Sequence, residues 1–150
     1  PQSLAHIPIH LVFSTKDRRP FLSDLAQRRE LHRYMIGICR ELGSPCIRLN
    51  GPEDHVHAIC LLGKQRCVSD HIRDLKSSSS KWFGKRFPEL NDFRWQSGYG
   101  AFGLCQNSLP DVIRYIDKQE EHHRKWSFQD EFRSLCRQAG VEIDERYVWD

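Results

Sequence analysis

Two histidines, His55 and His57, stand two positions apart in an apolar stretch that runs from His55 to Leu62. In an extended strand alternate side chains share a face, so the two imidazoles project together, roughly 6 to 7 Å apart, and can converge on one cation. Taken alone such a pair is more commonly solvated or hydrogen-bonded than metal-bound. Tyr115 and Gln119 fall four positions apart, which on a helix puts a phenol and a carboxamide on one surface. A tyrosine between Ile113 and Ile116 is, by itself, ordinarily a core edge. Combined, the four residues make a coherent set. A cation held by His55, His57 and Gln119 keeps positions open for phosphate oxygens, and Tyr115 supplies an attacking oxygen. A phenol with a pKa of about 10 needs help to ionise, which an adjacent cation gives. The reaction class is phosphodiester transfer through a covalent phosphotyrosine.

The elements that must position these residues follow from periodicity. Ala5 to Phe13 alternates, with Ala5, Ile7, Ile9, Leu11 and Phe13 apolar, which predicts a first strand with one wet face that carries His6 and His10. Ser23 to Leu42 repeats apolar residues at helical spacing and stops at Gly43. Cys46 to Leu49 reads as a second strand, turned by Asn50-Gly51 into the third, where Val56, Ala58 and Cys60 face away from the histidines. Val68 to Phe83 predicts a second helix, with the serines Ser77 to Ser80 inside it as small packing residues. Phe93 to Cys105, rich in glycine and aromatics, predicts an irregular fourth strand. Ser108 and Ser127 each precede an acidic residue by three and read as N-caps of two further helices, the second closed by Gly140. The order is βαββαβα plus a helical extension.

The 150 residues, with 39% apolar content, suit one domain over 1–150. The charge of +3 and a pI of 8.7 permit a polyanionic partner without requiring one. Cys39, Cys46, Cys60, Cys67, Cys105 and Cys136 include no C-x-x-C pair and no apolar leader precedes them, so neither a disulfide framework nor a zinc cluster is expected. A reducing cytoplasm fits that usage. The longest apolar run, Ala58 to Leu62, is far short of the roughly 20 residues of a membrane span, so no membrane partner is expected.

At this point the chain resembles a known family over essentially its whole length: the single-tyrosine HUH transposases of small bacterial insertion sequences, the IS200-like group. The resemblance rests on Ile9 to Lys16, on Asn50-Gly51 followed by Glu53 to His57, on Lys76 to Trp82, and on Trp95 to Phe102. Its most specific part is Tyr115-Ile116 with Gln119 to Lys125, then Phe128 to Phe132 and Asp144 to Tyr147. It implies an α+β, ferredoxin-like fold related to the RNA-recognition motif, a four-stranded antiparallel sheet with helices on one face and a tyrosine-bearing helix after it. It implies His55 and His57 as the HUH ligands, Gln119 as the third ligand and Tyr115 as the nucleophile. The implied partners are single-stranded DNA with hairpin ends and a second copy of the chain, with the active site completed in cis or in trans.

On that reading Tyr115 cuts by forming a 5′-phosphotyrosine and a free 3′-hydroxyl, which a second 3′-hydroxyl can reverse. Imidazole and amide ligands suit Mg²⁺ or Mn²⁺, and zinc is disfavoured without thiolates. Lys16, Arg18, Arg19, Arg73, Lys76 and Lys81 are the candidates for tracking the DNA backbone. His10 shares a strand face that can border the site, while His122 and His123 are expected at the surface. Three rivals stand beside this reading. One is a domesticated relative acting on genomic palindromic repeats. Another is a replication-initiator or relaxase nuclease, which ordinarily needs more chain than this. The third is a non-catalytic RNA-recognition-like module, which needs aromatics on an open sheet face where strand three offers histidines and Ile59.

Overall fold

A computed structural model describes residues 1–150. Four strands, β1 (Pro8–Ser14), β2 (Cys46–Asn50), β3 (His55–Leu61) and β4 (Gly100–Gly103), form one antiparallel sheet in the order β2-β3-β1-β4. Helix α1 (Leu25–Glu41) joins β1 to β2 and α2 (Val68–Arg86) joins β3 to β4, giving the expected ferredoxin-like βαββαβ order. Helices α3 (Leu109–Asp117), α4 (Gln119–His122) and α5 (Phe128–Ala139) follow.

Strand alternation divides the apolar residues between two cores. Ile9, Leu11 and Phe13 of β1 and Val56, Ala58 and Cys60 of β3 pack against Leu31, Met35 and Ile38 of α1 and Ile72, Leu75 and Phe83 of α2. On the opposite face Val12 meets Phe128, Phe132 and Cys136 of α5, and Ile59 meets Leu109 and Ile116 of α3. The expectation of a wet face on β1 is therefore corrected. Every residue of the strand is buried, because α3 and α5 cover the side that carries His10, Val12 and Ser14. The alternation within Ala5 to Phe13 could reveal two faces, but not that a C-terminal helix would return to cover the second.

Local chemistry explains most boundaries. The Asp24 carboxylate accepts from Gln27 N at 2.9 Å and caps α1, one residue after the serine chosen from sequence, and Gly43 ends the helix at φ +76°. Ser127 caps α5 by accepting from Asp130 N, and Gly140 closes it at φ +71°. Ser108 does not cap α3: its hydroxyl donates to Cys105 O at 2.9 Å. Nor is Asn50-Gly51 a two-residue hairpin turn, since β2 and β3 are joined by Gly51 to Asp54 and Gly51 has no positive φ. Its glycine is required for closeness instead, because a Cβ there would lie 2.2 Å from His55 O. The fourth strand is shorter than the Phe93 to Cys105 segment, which contributes only an isolated bridge from Trp95 to Thr15 outside β4. Ser79 is buried in α2 and accepts from Trp95 Nε1 at 3.0 Å, in keeping with the packing role read from the serine run.

Candidate active site

Strand β3 aims His55 and His57 at the face covered by α3 to α5, and both are fully buried. Helix α3 brings Tyr115 over them, its ring centroid 5.9 Å from that of His57. The chain breaks helical geometry at Lys118 and resumes at Gln119, whose amide Nε2 still reaches back to Tyr115 O at 3.5 Å. Gln119 Oε1 lies 3.4 Å from His55 Nε2. The four residues singled out in the sequence therefore meet in space.

At their centre is Glu131, from α5, which the sequence reading did not single out. It is fully buried. Its Oε1 lies 2.8 Å from His57 Nε2, 3.2 Å from His55 Nε2 and 3.1 Å from His123 Nε2. Its Oε2 accepts from the Tyr115 hydroxyl and, at 3.2 Å, from Gln119 Nε2. The only sequence signal was its place in the Phe128 to Phe132 stretch of the resemblance, because a lone glutamate in an amphipathic helix looks like a solvated one. His122 and His123 are also corrected from surface roles. His123 is held against Glu131, and His122 stacks on Tyr115 with ring centroids 4.8 Å apart.

The outer nitrogens fix what the inner ones can do. His55 Nδ1 donates to the Asp54 carboxylate at 2.7 Å, and His123 Nδ1 donates to Trp126 O at 2.7 Å. In the neutral rings that leaves both Nε2 atoms as lone pairs pointing at a carboxylate oxygen. Acceptors facing an acceptor in a buried site require positive charge between them, from ring protons or from a metal ion. The donor set of two strand imidazoles, one carboxylate and one carboxamide oxygen fits a divalent ion of moderate hardness. Asp54 supplies the outer-sphere hydrogen bond that such ligands characteristically have.

The electrostatics agree with this cluster. Burial pushes Glu131 up, but the hydrogen bonds from His123, His55 and His57 outweigh it and hold the carboxyl well below its usual range. His55 is pulled down by burial, yet Asp54 and Glu131 raise it overall. His57, fully desolvated and beside two other imidazoles, is lowered to about 4 despite Glu131. His10 is lowered to about 3 by burial and by His57, whose Nδ1 it meets at 2.9 Å. Burial first, and then Glu131, push the Tyr115 phenol well above its normal value. A cleft of about 310 Å³ opens beside these groups, bordered by His10, Val112, Tyr115, Trp126, Glu131 and Leu135.

The basic candidates separate into two kinds. The Lys76 ammonium donates to Gln96 O, Ser97 O and Gly98 O at 2.9, 3.2 and 2.8 Å, so its three donors hold a loop. Arg73 pairs with Asp70 and Asp74, Arg19 with Asp92, and Arg18 donates to Trp149 O. Lys16 and Lys81 form no ion pair, and Lys81 is exposed.

The family described as "Transposase IS200 like" matches residues 3–119. Among solved structures, a candidate transposase from Deinococcus radiodurans R1 is similar with a TM-score of 0.65 and 22% identity, over 79% of this chain and 95% of that one. A REP-associated tyrosine transposase bound to a REP hairpin is similar with a TM-score of 0.59 and 17% identity, over 85% of this chain and 75% of that one. At these identities the two structures speak to the fold alone. No curated protein matches.

Proposed function

We propose that this chain, which belongs to the IS200-like transposase family, cuts and rejoins single-stranded DNA at hairpin-bearing ends, with Tyr115 as nucleophile. The observation that carries the reading is the meeting of the Tyr115 hydroxyl, His55, His57 and Gln119 around one buried carboxylate. Tyr115 Oη forms a bond to the scissile phosphorus, the bond to the 3′-oxygen breaks, and a 5′-phosphotyrosine and a 3′-hydroxyl result. Glu131 Oε2, already the acceptor of the phenol hydrogen bond, takes the proton and passes it on to the departing 3′-oxygen. His55, His57, Gln119 Oε1 and Glu131 Oε1 are the groups that would hold Mg²⁺ or Mn²⁺. When bound, the ion would supply Lewis acidity toward non-bridging phosphate oxygens and favour the phenolate. Lys16 and Lys81 are the basic candidates whose side chains make neither an ion pair nor a hydrogen bond within the protein, which supports them as contacts to a DNA backbone.

The hairpin of the REP-associated neighbour is a property of that protein, and supports hairpin ends as the class of substrate to try here. Incubation with labelled single-stranded oligonucleotides carrying hairpins, in Mn²⁺, should give a covalent protein–DNA adduct. Tyr115→Phe should abolish it, and an adduct of undiminished yield in that variant would refute the nucleophile assignment.

A homodimer is part of the proposal, with each site completed within one subunit. Tyr115 lies beside the histidines of its own chain, which supports a cis arrangement. Mixing Tyr115→Phe with His57→Ala subunits distinguishes the cases: a cis site stays dead in the mixture, whereas a trans site recovers activity.

A further inference from the structure

On the other face of the sheet, away from the site above, residues far apart in sequence bring sulfur and nitrogen donors together. Cys39 lies in the last turns of α1, Cys60 on β3 and His71 in the first turn of α2, and all three are fully buried. The Cys39 and Cys60 sulfurs are 3.9 Å apart, and Cys39 Sγ is 3.8 Å from His71 Nε2. Cys46, the first residue of β2, is paired in register with Cys60 across the sheet. Its thiol is only partly buried and donates to Arg48 O at 3.1 Å, outside the three donor atoms that lie within 4.8 Å of one another, so it joins them by turning from that carbonyl.

Ordinary packing accounts for buried thiols, since cysteine behaves as a small apolar residue. It does not account for His71. That imidazole has no hydrogen-bond partner for Nδ1, and its Nε2 meets only the Cys39 sulfur, a weak partner. An ion on Nε2 gives that nitrogen the strong contact a thiol does not, while Nδ1 keeps its proton and stays without a partner. The spacing also fits. With Zn–S near 2.3 Å and Zn–N near 2.0 Å, tetrahedral ligand atoms lie about 3.5–3.8 Å apart, close to the distances observed here.

We infer that Cys39, Cys60 and His71, with Cys46 as fourth ligand, form a structural site for a thiolate-preferring cation of the zinc class. The ion ties α1, β2, β3 and α2 together and has no part in the chemistry at His55 and His57, from which the sheet separates it. The thiols give up their protons on binding, so uptake releases protons and tightens as pH rises. No C-x-x-C spacing announces the site because its ligands come one from each of four elements.

The test is a cobalt titration of the fully reduced protein. The wild-type chain should take up one equivalent with the sulfur-to-cobalt charge-transfer band and strong visible bands of tetrahedral Co²⁺, and zinc should bleach them. His55→Ala/His57→Ala should keep the signal, as should Cys67→Ser and Cys105→Ser at the exposed thiols. Cys39→Ser and His71→Gln should lose it. Absence of the band in reduced wild-type protein overturns the assignment, and that measurement needs no variant to fold. So does a band that survives both Cys39→Ser and His71→Gln, or a protein whose Cys46 and Cys60 form a disulfide and which binds no cobalt once reduced.

Discussion

The Glu131 carboxylate shows how one side chain gives a set of strand and helix residues a common centre. Glu131→Gln removes the negative charge facing three imidazoles, and it should weaken Mn²⁺ binding by at least about 10-fold, as read by the paramagnetic resonance of free Mn²⁺. Unchanged affinity would mean that this carboxylate is no ligand. His32 carries a separate pH dependence on α1. It is nearly buried, Nε2 has no partner, and desolvation with the nearby Arg28 lowers it to about 4 from 6.5. The folded state thus binds the proton less readily than the unfolded chain, so the stability this group contributes is complete above pH 6.5 and lost as pH falls toward 4. His32→Gln should flatten the loss of unfolding free energy across that window, by no more than about 1.4 kcal/mol per pH unit, as read by denaturant unfolding. At this scale the sequence was only half legible. His55, His57, Tyr115 and Gln119 were recognisable because type and spacing coincide with a known pattern. Glu131, His123 and Cys60 gain their neighbours solely through tertiary contact, which spacing does not encode.

Helix α5 is the element on which the site most depends. It delivers Glu131 to the histidines while Phe128, Phe132 and Cys136 fix it to Val12. Ser127→Ala deletes its cap and should cost about 1 kcal/mol by denaturant unfolding. An equal loss for Ser108→Ala would contradict the different hydrogen bonds of the two serines, since only Ser127 caps a helix. Gly100 guards the same contact from β4. A Cβ there would come within 2.9 Å of Val12, Phe102 and Phe132 side chains, so Gly100→Val should displace α5 and weaken metal binding together with stability. Ser108 and Ser127 looked alike in sequence, as did the turn at Asn50-Gly51 and a true two-residue hairpin. What separates them is where the preceding backbone arrives, a property of the assembled sheet. The long amphipathic helices α1 and α2, by contrast, were readable almost to their ends, because a sustained 3.6-residue period leaves few alternatives.

For the molecule as a whole, the covered second face of the sheet matters most. A stacking platform for bases needs exposed aromatics on central strands, and here α3 and α5 occupy that place, which disfavours the RNA-recognition alternative. With Lys16 and Lys81 as the phosphate contacts proposed here, affinity for DNA should fall gently with salt. Lys16→Ala and Lys81→Ala should each reduce the log Kd against log salt slope by roughly 0.7. Lys76→Ala should leave the slope alone and lower Tm, since its ammonium holds the loop at Gln96 to Gly98. An unaltered slope in both lysine variants would remove them from the DNA interface.

Trp126 borders the cleft beside Tyr115, stands 46% exposed, and its carbonyl accepts the His123 hydrogen bond. An indole so placed is a built-in optical gauge. Collisional quenchers can reach it, and a paramagnetic ion among the imidazoles would dim its emission, so binding at this centre can be followed by fluorescence without attaching a dye.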